Sequence, residues 1–127
     1  MSGAALILGL HLATAHFGAP AGGPDLTDRN PGAYVRLGNG ATAGAFRNSH
    51  RRSSVYAGWT WQTRDGRWAL TVGAVTGYPR AAVAPLLVPS VRLPLAAGSP
   101  WAARLSYLHK PHSDGASGVH LSIERSW

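Results

Sequence analysis

Cysteine is absent from this 127-residue chain, which excludes disulfide bonds, thiolate metal sites and thiol nucleophiles. Charge is scarce as well: Asp, Glu, Lys and Arg make up 13% of the residues, about half the usual share for soluble domains. The five acidic residues face twelve basic ones, all but one of them Arg, and the formal net charge is +7. This composition is not typical of an ordinary soluble surface, and the surplus of Arg indicates contacts with phosphate or carboxylate groups.

Long apolar runs are also missing. The longest, residues 4–15, is interrupted by His11 and is shorter than the ~20 residues of a membrane-spanning helix. The same segment contains Ala13-Thr14-Ala15, which suits a signal-peptide cleavage site, but no Lys or Arg precedes it. Without cleavage there, we expect either that an export signal has been removed or that the chain stays inside the producing cell.

Turn residues, in contrast, are frequent, with 16 Gly and 9 Pro. They divide the chain into β-like runs of about ten residues. Asn39-Gly40 is the strongest turn signal, because both residues tolerate the positive φ of a type I′ hairpin. The predicted strands are 5–17, 32–38, 41–47, 54–63, 67–78, 86–93, 101–109 and 118–126. This pattern predicts one all-β domain over residues 1–127, an eight-stranded antiparallel up-and-down β-barrel.

Alternation within these runs separates a large apolar face from a small or polar one. In the first run Leu6, Leu8, Leu10 and Leu12 oppose Gly9, His11 and Ala13. A soluble barrel would bury the Leu face, whereas a membrane barrel would turn it to lipid. We favour the membrane barrel, because Gly and Ala crowd the polar face and because Trp61, Trp68, Trp101 and Trp127 lie near strand ends, as in an aromatic girdle. We therefore expect Leu8, Leu10, Leu70 and Leu121 to face outward, and His11, Gly73, Arg104 and His120 to face inward.

Several short motifs follow one another in an order that can be compared with a known family. They are Leu10-His11, Thr27-Asp28-Arg29-Asn30-Pro31-Gly32, Ala45-Phe46-Arg47-Asn48-Ser49, Tyr56-Ala57-Gly58-Trp59-Thr60-Trp61, residues 70–77, residues 85–91, residues 104–108 and Gly118-Val119-His120. From residue 9 onward, the chain resembles the lipid A palmitoyltransferase barrels of Gram-negative outer membranes. It is also similar to short phage proteins.

The resemblance implies a barrel in the outer membrane that encloses an acyl chain and transfers it from a phospholipid to a lipid A hydroxyl without a cofactor. By position, His11 and Ser49 match residues that the family needs for activity, and Asn48 stands where the family has Asp. A neutral amide cannot take up a proton as a carboxylate can. It could instead donate a hydrogen bond or orient the ring, so we expect Asn48→Asp to raise transfer. Asn48 and Ser49 would equally suit a turn, and His11 a structural position inside the barrel.

A second constellation is His120, Ser122 and Glu124, which share one strand face with neighbours about 7 Å apart. This spacing brings a His–Ser pair and a carboxylate within reach, and it is similar to the His-x-Ser of outer-membrane lipid A deacylases. A wetted strand face is the competing interpretation. His16, His109 and His112 lack carboxylates at a recognisable spacing, so we predict no metal site.

A basic cluster follows the third run and is the candidate surface for anionic partners. It contains Arg47, His50, Arg51 and Arg52, with Arg64, Arg67 and Arg80 at other turns. We expect Arg47, Arg51 and Arg52, together with Arg104, to contact lipid phosphates; an acidic protein surface or plain solvation are alternatives. Aromatic residues are not interleaved with the cluster, which argues against sequence-specific nucleic-acid binding.

The alternative function is a non-catalytic barrel of a phage particle that packs its apolar face on protein subunits. Its location would then be the virion or the host cytoplasm rather than the outer membrane.

Overall fold

The computed structural model describes residues 6–17, 29–48, 52–78, 81–108 and 117–127. Eight strands form a closed barrel in which each strand pairs antiparallel with its sequence neighbours and the first pairs with the last. The predicted fold is thereby confirmed. The strands are β1 (Leu6–Phe17), β2 (Arg29–Leu37), β3 (Ala41–Arg47), β4 (Ser53–Gln62), β5 (Trp68–Tyr78), β6 (Ala81–Pro94), β7 (Trp101–Leu108) and β8 (Ser117–Ser126).

The barrel is apolar outside and polar inside. Leu8, Leu10 and Leu70 are 46%, 55% and 38% exposed, and Leu121 lies on the same outer face as exposed Val119. The buried polar side chains are, among others, Thr14, Arg36, Thr42, Ser54, Thr60, Ser90, Arg104, His120, Ser122 and Glu124. His11 lines the interior, as do Thr71 and Val75 on either side of Gly73. The predicted orientation of the strands is therefore confirmed.

A β-bulge in β1 corrects one detail of that prediction. The register of β1 with β8 shifts between His11 and Ala13, so that Leu12 is an extra residue relative to β8, and the register with β2 is irregular at the same place. Ala13 was predicted to share the inner face with His11, and this is wrong. The bulge reverses the alternation, so Thr14 faces inward and is 3% exposed, beside the buried ring of His120.

β6 begins at Ala81, five residues before the predicted start, and it continues through Pro85 and Pro89. Both prolines pair with β5, but β6 pairs with β7 only from Ser90 to Pro94. Proline is tolerated where no neighbouring strand needs its missing N–H. The first half of β6 is therefore an edge that β7 does not cover with ladder pairs among the described residues.

The two ends of the barrel differ. The turn end carries the short connections 38–40, 63–67 and 95–100, and the loop end carries the connections 18–28, 48–52, 79–80 and 109–116. The chain's five tryptophans, Trp59, Trp61, Trp68, Trp101 and Trp127, lie toward the turn end and are 41–60% exposed. The Arg125 guanidinium lies over two of these rings, 4.2 Å from the centre of Trp127 and 5.5 Å from that of Trp101. This arrangement is typical of an aromatic girdle.

Within the described ranges, no helix is long and apolar enough to cross a membrane.

Candidate functional site

His11 lies at the centre of a hydrogen-bonded chain that crosses the barrel. Its Nδ1 lies 2.9 Å from Nε2 of His120, and its Nε2 lies 2.8 Å from the hydroxyl of Tyr56. The Nδ1 of His120 lies 2.8 Å from the hydroxyl of Thr14, which the β1 bulge turns inward. We call Tyr56, His11, His120 and Thr14 the histidine chain. Barrel closure forms it, because β1, β4 and β8 contribute its members.

The histidine chain can hold its protons in two orders. In one, Tyr56 donates to His11, His11 donates to His120, and His120 donates to Thr14; in the other, every donor and acceptor is exchanged. Both orders leave the two imidazoles neutral, because each ring then carries one N–H. Taking up a proton at one end and releasing one at the other converts the first order into the second. The chain is thus able to relay a proton between Tyr56 and Thr14.

Ring contacts hold His11 in place around these hydrogen bonds. Its imidazole centre lies 4.8 Å from the ring centre of Tyr34 and 5.5 Å from that of Phe46. Tyr34 in turn lies over Gly9, its register partner on β1, where a Cβ atom would come within 2.1–2.6 Å of the ring. Glycine at this position is therefore what admits the tyrosine that packs against His11.

Closer to the turn end lies a buried charge cluster, which we call the arginine–glutamate cluster: Arg36, Arg92, Arg104 and Glu124. Arg104 donates from Nε and Nη2 to the two oxygens of Glu124, at 3.1 and 2.9 Å, and from Nη1 to Ser90 at 2.8 Å. Arg36 donates from Nη2 to both oxygens at 3.3 Å. The hydroxyl of Tyr34 donates to the same carboxylate at 2.5 Å. This tyrosine therefore joins the cluster to the histidine chain.

A cavity of about 110 Å³ lies between these two groups. Its polar lining includes His11, His120 and Tyr56 from the histidine chain, and Arg36 and Arg104 from the cluster. Its apolar lining comprises Phe46, Val75, Leu86, Val88 and Leu108. At roughly 10–15 Å³ for one water, the space holds several water molecules or part of an aliphatic chain, with an apolar wall on one side and hydrogen-bonding groups on the other.

The unpaired half of β6 ends beside this cavity, at the rung formed by Ser90 and Ser106. On the outer surface, a groove at the same place is lined by Trp68, Pro89, Val91, Leu105, Tyr107 and Val119. Ser90 and Ser106, where pairing of β6 with β7 begins, line both the outer groove and the inner cavity. We call this place the seam. Its two serines lie between the apolar groove outside the barrel and the cavity inside it.

Asn48 occupies a structural position at the end of β3. Its side chain is fully buried, and its Nδ2 donates to the hydroxyl of Ser54 at 2.9 Å and to the carbonyl of Gly77 at 2.8 Å. Its Oδ1 accepts from the backbone N–H of Arg52 at 3.1 Å. These bonds close the β3–β4 connection, as expected of Asn at a turn. The predicted catalytic role of Asn48 stays a prediction.

The other predicted site residues are distributed as follows. Ser49, His50, Arg51 and Arg80 lie outside the described residues, so the pairing of His11 with Ser49 stays a prediction. Arg47 and Arg52 are exposed at the loop end. Arg104 is 4% exposed and faces the cavity, where it is held by Glu124. Arg47 and Arg52 therefore lie at the rim and Arg104 lies inside, and their predicted contacts with lipid phosphates stay predictions.

The second predicted constellation shares an inner face as expected, but His120 has other partners than Ser122 and Glu124. His120 contacts His11 and Thr14; the hydroxyl of Ser122 lies 3.4 Å from that of Tyr34; Glu124 accepts from arginines and from the same tyrosine. The proposed joint action of these three residues stays a prediction. The side chains of His16, His109 and His112 lie outside the described part of the chain, in which no group of three potential metal ligands occurs.

Sequence analysis did not single out Thr14, Tyr34, Arg36 or Tyr56. A signal for three of them exists, because Tyr34, Arg36 and Tyr56 each alternate with Ala, Val, Leu or Gly at period two. Such bulky polar residues between small or apolar neighbours indicate an interior position in a barrel of this type. Thr14 carried no such signal, since the bulge that turns it inward depends on pairing with β2 and β8.

Neither a protein-family model nor a curated protein matches this chain.

Proposed function

We propose that this protein is a membrane-spanning β-barrel that takes an acyl chain of a phospholipid into its interior and transfers it to a lipid A-type hydroxyl. The observation that carries the proposal is that the outer face of the barrel is apolar and the inner face is polar, the reverse of a soluble barrel. Outward positions within the strands are uncharged except at strand ends, where Arg29, Arg47 and Arg125 lie. A continuous apolar exterior around a polar interior is the arrangement that lipid requires.

Six of the eight strands have the 9 or more residues that a transmembrane β-strand needs, whereas β3 and β7 have 7 and 8. At about 3.4 Å per residue, the 11 residues of β5 extend about 37 Å. A strand tilt of ~45° reduces this to about 26 Å, close to the ~25 Å apolar band of outer-membrane barrels. The two longest connections, 18–28 and 109–116, are both at the loop end, which suits the outer side of such a barrel. The proposed location is therefore the outer membrane.

The seam supplies a path for the acyl chain. A phospholipid beside the barrel has its chains at the level of the outer groove, and Ser90 and Ser106 separate this groove from the cavity. A chain that passes there would contact the apolar wall formed by Val75, Leu86 and Val88. Its ester would then lie within the polar half of the cavity. Arg47 and Arg52 at the loop end suit the phosphates of the acceptor lipid.

The histidine chain can supply the proton transfer that the reaction needs. The oxygen of the acceptor hydroxyl attacks the ester carbonyl carbon of the donor and forms the new C–O bond, while the old C–O bond to the glycerol oxygen breaks. The hydroxyl proton goes to the oxygen of Tyr56 as Tyr56 gives its own proton to Nε2 of His11. A proton then returns to the glycerol oxygen, which leaves as a lysophospholipid. Ser49 and Asn48 are the further residues that the family resemblance assigns to this step.

The test is acyl transfer in vesicles that contain a phospholipid with a radiolabelled acyl chain and a lipid A acceptor. We expect labelled acceptor with the wild type and at least a hundredfold less with His11→Ala or Ser49→Ala, in line with the ~10²–10⁴-fold contribution of general acid–base catalysis. Ser53→Ala, which changes an exposed serine at the start of β4, is the matched control and should transfer like the wild type. If the wild type and every variant transfer acyl chains only at the background level, the proposed enzymatic activity is refuted.

A second measurement separates a lipid-facing barrel from one that packs on protein. The tryptophans are all exposed on the outside, so vesicles with brominated acyl chains should quench most of the intrinsic fluorescence. A fluorescence unaffected by brominated lipid would contradict the membrane-spanning barrel. It would favour the alternative, a non-catalytic barrel whose apolar face is covered by subunits of a particle.

A further inference from the structure

The arginine–glutamate cluster holds more positive than negative charge. Arg36, Arg104 and Glu124 are 5%, 4% and 0% exposed, so two buried cations share one buried anion. Arg92 is a third cation, but its side chain is 20% exposed and its Nε lies 3.8 Å from the carboxylate. The other acidic residue in the described ranges, Asp65, is exposed in the β4–β5 connection. One buried positive charge thus lacks an acidic partner among the described side chains.

The two buried arginines differ in how their donors are used. Arg104 donates hydrogen bonds from Nε and Nη2 to Glu124 and from Nη1 to Ser90, at 2.8–3.1 Å. Arg36 reaches Glu124 only with Nη2, at 3.3 Å, and its buried Nε–H has no acceptor among the described residues. A buried charged donor without an acceptor is costly. We therefore assign both the positive charge in excess of Glu124 and the N–H donor without an acceptor to Arg36.

Arg36 also lines the cavity, next to Arg104, Ser90 and Ser122. An acceptor can consequently reach it from the interior of the barrel. The geometry points to an anion site at the turn-end floor of the cavity, where Arg36 binds a compact monovalent anion, a carboxylate or a halide. One negative charge neutralises the one buried excess charge, and the planar guanidinium suits a carboxylate.

This site is distinct from the proposed acyl-transfer site. An acyl ester carries no charge, and its reaction takes place at the histidine chain on the other side of the cavity. The anion site therefore needs no transfer activity, and a barrel inactive in the vesicle assay would still bind the anion.

The experiment uses trifluoroacetate as the probe, observed by ¹⁹F NMR with the full chain folded in a non-ionic detergent at low chloride. We expect saturable broadening or shift of the probe signal, which formate reverses by competition. Trifluoroethanol carries the same trifluoromethyl group without the charge and should not bind saturably. Added chloride separates the two sources: competition by formate alone identifies a carboxylate site, and competition by both identifies a general monoanion site. The absence of saturable binding to the wild type would overturn the proposal.

Variants locate the site. Arg36→Lys keeps the positive charge but removes the Nε donor, and we expect it to weaken binding roughly tenfold, as for the loss of one charged hydrogen bond. Arg36→Gln should abolish binding. Arg67→Gln removes an exposed arginine at the turn end, and it should bind the probe like the wild type. Binding that is unchanged in the Arg36 variants, with Arg67→Gln as reference, would refute the assignment.

Two further measurements cover the case in which a variant of the buried Arg36 folds poorly. One is probe binding to Arg92→Gln, which changes a partly exposed member of the cluster; binding should weaken several-fold because the local positive potential is lower. The other is the melting temperature. Formate should raise the melting temperature of the wild type, because a ligand that binds the folded state stabilises it, and should raise that of Arg36→Lys less. Equal increases in the wild type, Arg36→Lys and Arg92→Gln would contradict the site even if Arg36→Gln cannot be prepared.

Discussion

Substitution of Glu124 by Gln is the sharpest test of how the barrel interior is held together. Gln has the shape of Glu but carries no charge, and one of its two terminal groups donates rather than accepts. In the native barrel, both carboxylate oxygens accept from Arg104, both accept from Arg36, and one accepts from Tyr34. The amide would place an NH₂ group against guanidinium donors and would leave two buried arginines without a counter-charge.

The expected loss follows from these contacts. Hydrogen bonds to charged groups contribute about 1.5–3 kcal/mol each, and the closest ones from Arg104 and Tyr34 measure 2.5–3.1 Å. Removing one partner of a buried ion pair costs about 3–5 kcal/mol, because the other charge stays buried. We therefore expect Glu124→Gln to lower the free energy of unfolding by about 3–5 kcal/mol.

Urea unfolding of the detergent-folded protein, followed by tryptophan fluorescence, measures this change once refolding is shown to be reversible. Asp65→Asn is the control, since Asp65 is an exposed carboxylate that accepts from Thr63 and Arg67, and its cost should stay below about 1 kcal/mol. Arg104→Met combined with Glu124→Gln should cost less than the sum of the two single changes. A loss below about 1 kcal/mol for Glu124→Gln would refute the reasoning.

Three further outcomes are expected from the same unfolding assay. Gly9→Ala should cost about 1–3 kcal/mol, because the added methyl group would overlap the ring of Tyr34; Ala33→Val on the exposed outer face is its control, and equal losses would contradict the contact. Asn48→Asp should destabilise by about 1–3 kcal/mol, since a carboxylate cannot donate to the carbonyl of Gly77; a neutral result would show that this bond contributes little. Thr14→Val should cost about 1–3 kcal/mol because it leaves a buried ring nitrogen unpaired, and no loss would contradict the histidine chain.

The Asn48 result bears on acyl transfer as well. If a carboxylate at this position raises activity as the family resemblance predicts, the gain must be measured per folded barrel, because the fold itself is weakened. Asn39→Asp is the matched control: the Asn39 side chain only accepts, from the backbone N–H of Ala41, and a carboxylate can do the same. If Asn48→Asp and Asn39→Asp both have the free energy of unfolding of the wild type, the hydrogen bonds of Asn48 do not stabilise the β3–β4 connection as we infer.

The strands and their orientation could be predicted because both depend on local signals. A period of two along β1 or β8 identifies the outward face without knowledge of the partner strand, and Asn39-Gly40 identifies a hairpin from two residues. The bulge at Leu12 could not be predicted in this way, since it exists only relative to the registers with β2 and β8. The start of β6 at Ala81, before the predicted start at residue 86, has a related reason: a proline at position 85 is tolerated in the strand because β7 does not pair with that half.

The candidate site was less accessible to sequence reasoning, because its contacts are long-range. His11 and His120 are 109 positions apart, and Arg36 and Glu124 are 88 apart. Each residue could be assigned to the interior face, but which of them meet depends on the closure of β1 onto β8 and on the stagger of the strands. Spacing along one strand suggested His120, Ser122 and Glu124 as a unit, whereas cross-barrel contacts join His120 to His11 and join Ser122 and Glu124 to Tyr34.

The proposed membrane location would account both for the scarcity of charge in the sequence and for the crowding of charge in the barrel. A lipid-facing exterior would exclude ionised side chains from the middle of every outward face and leave them the strand ends, the connections and the interior. In the interior, a cation can be retained only beside an anion, and Glu124 is the single acidic side chain that the described strands turn inward. The interior then holds more arginine than this carboxylate can neutralise. This excess creates, at Arg36, the place where an anion from outside the chain is expected.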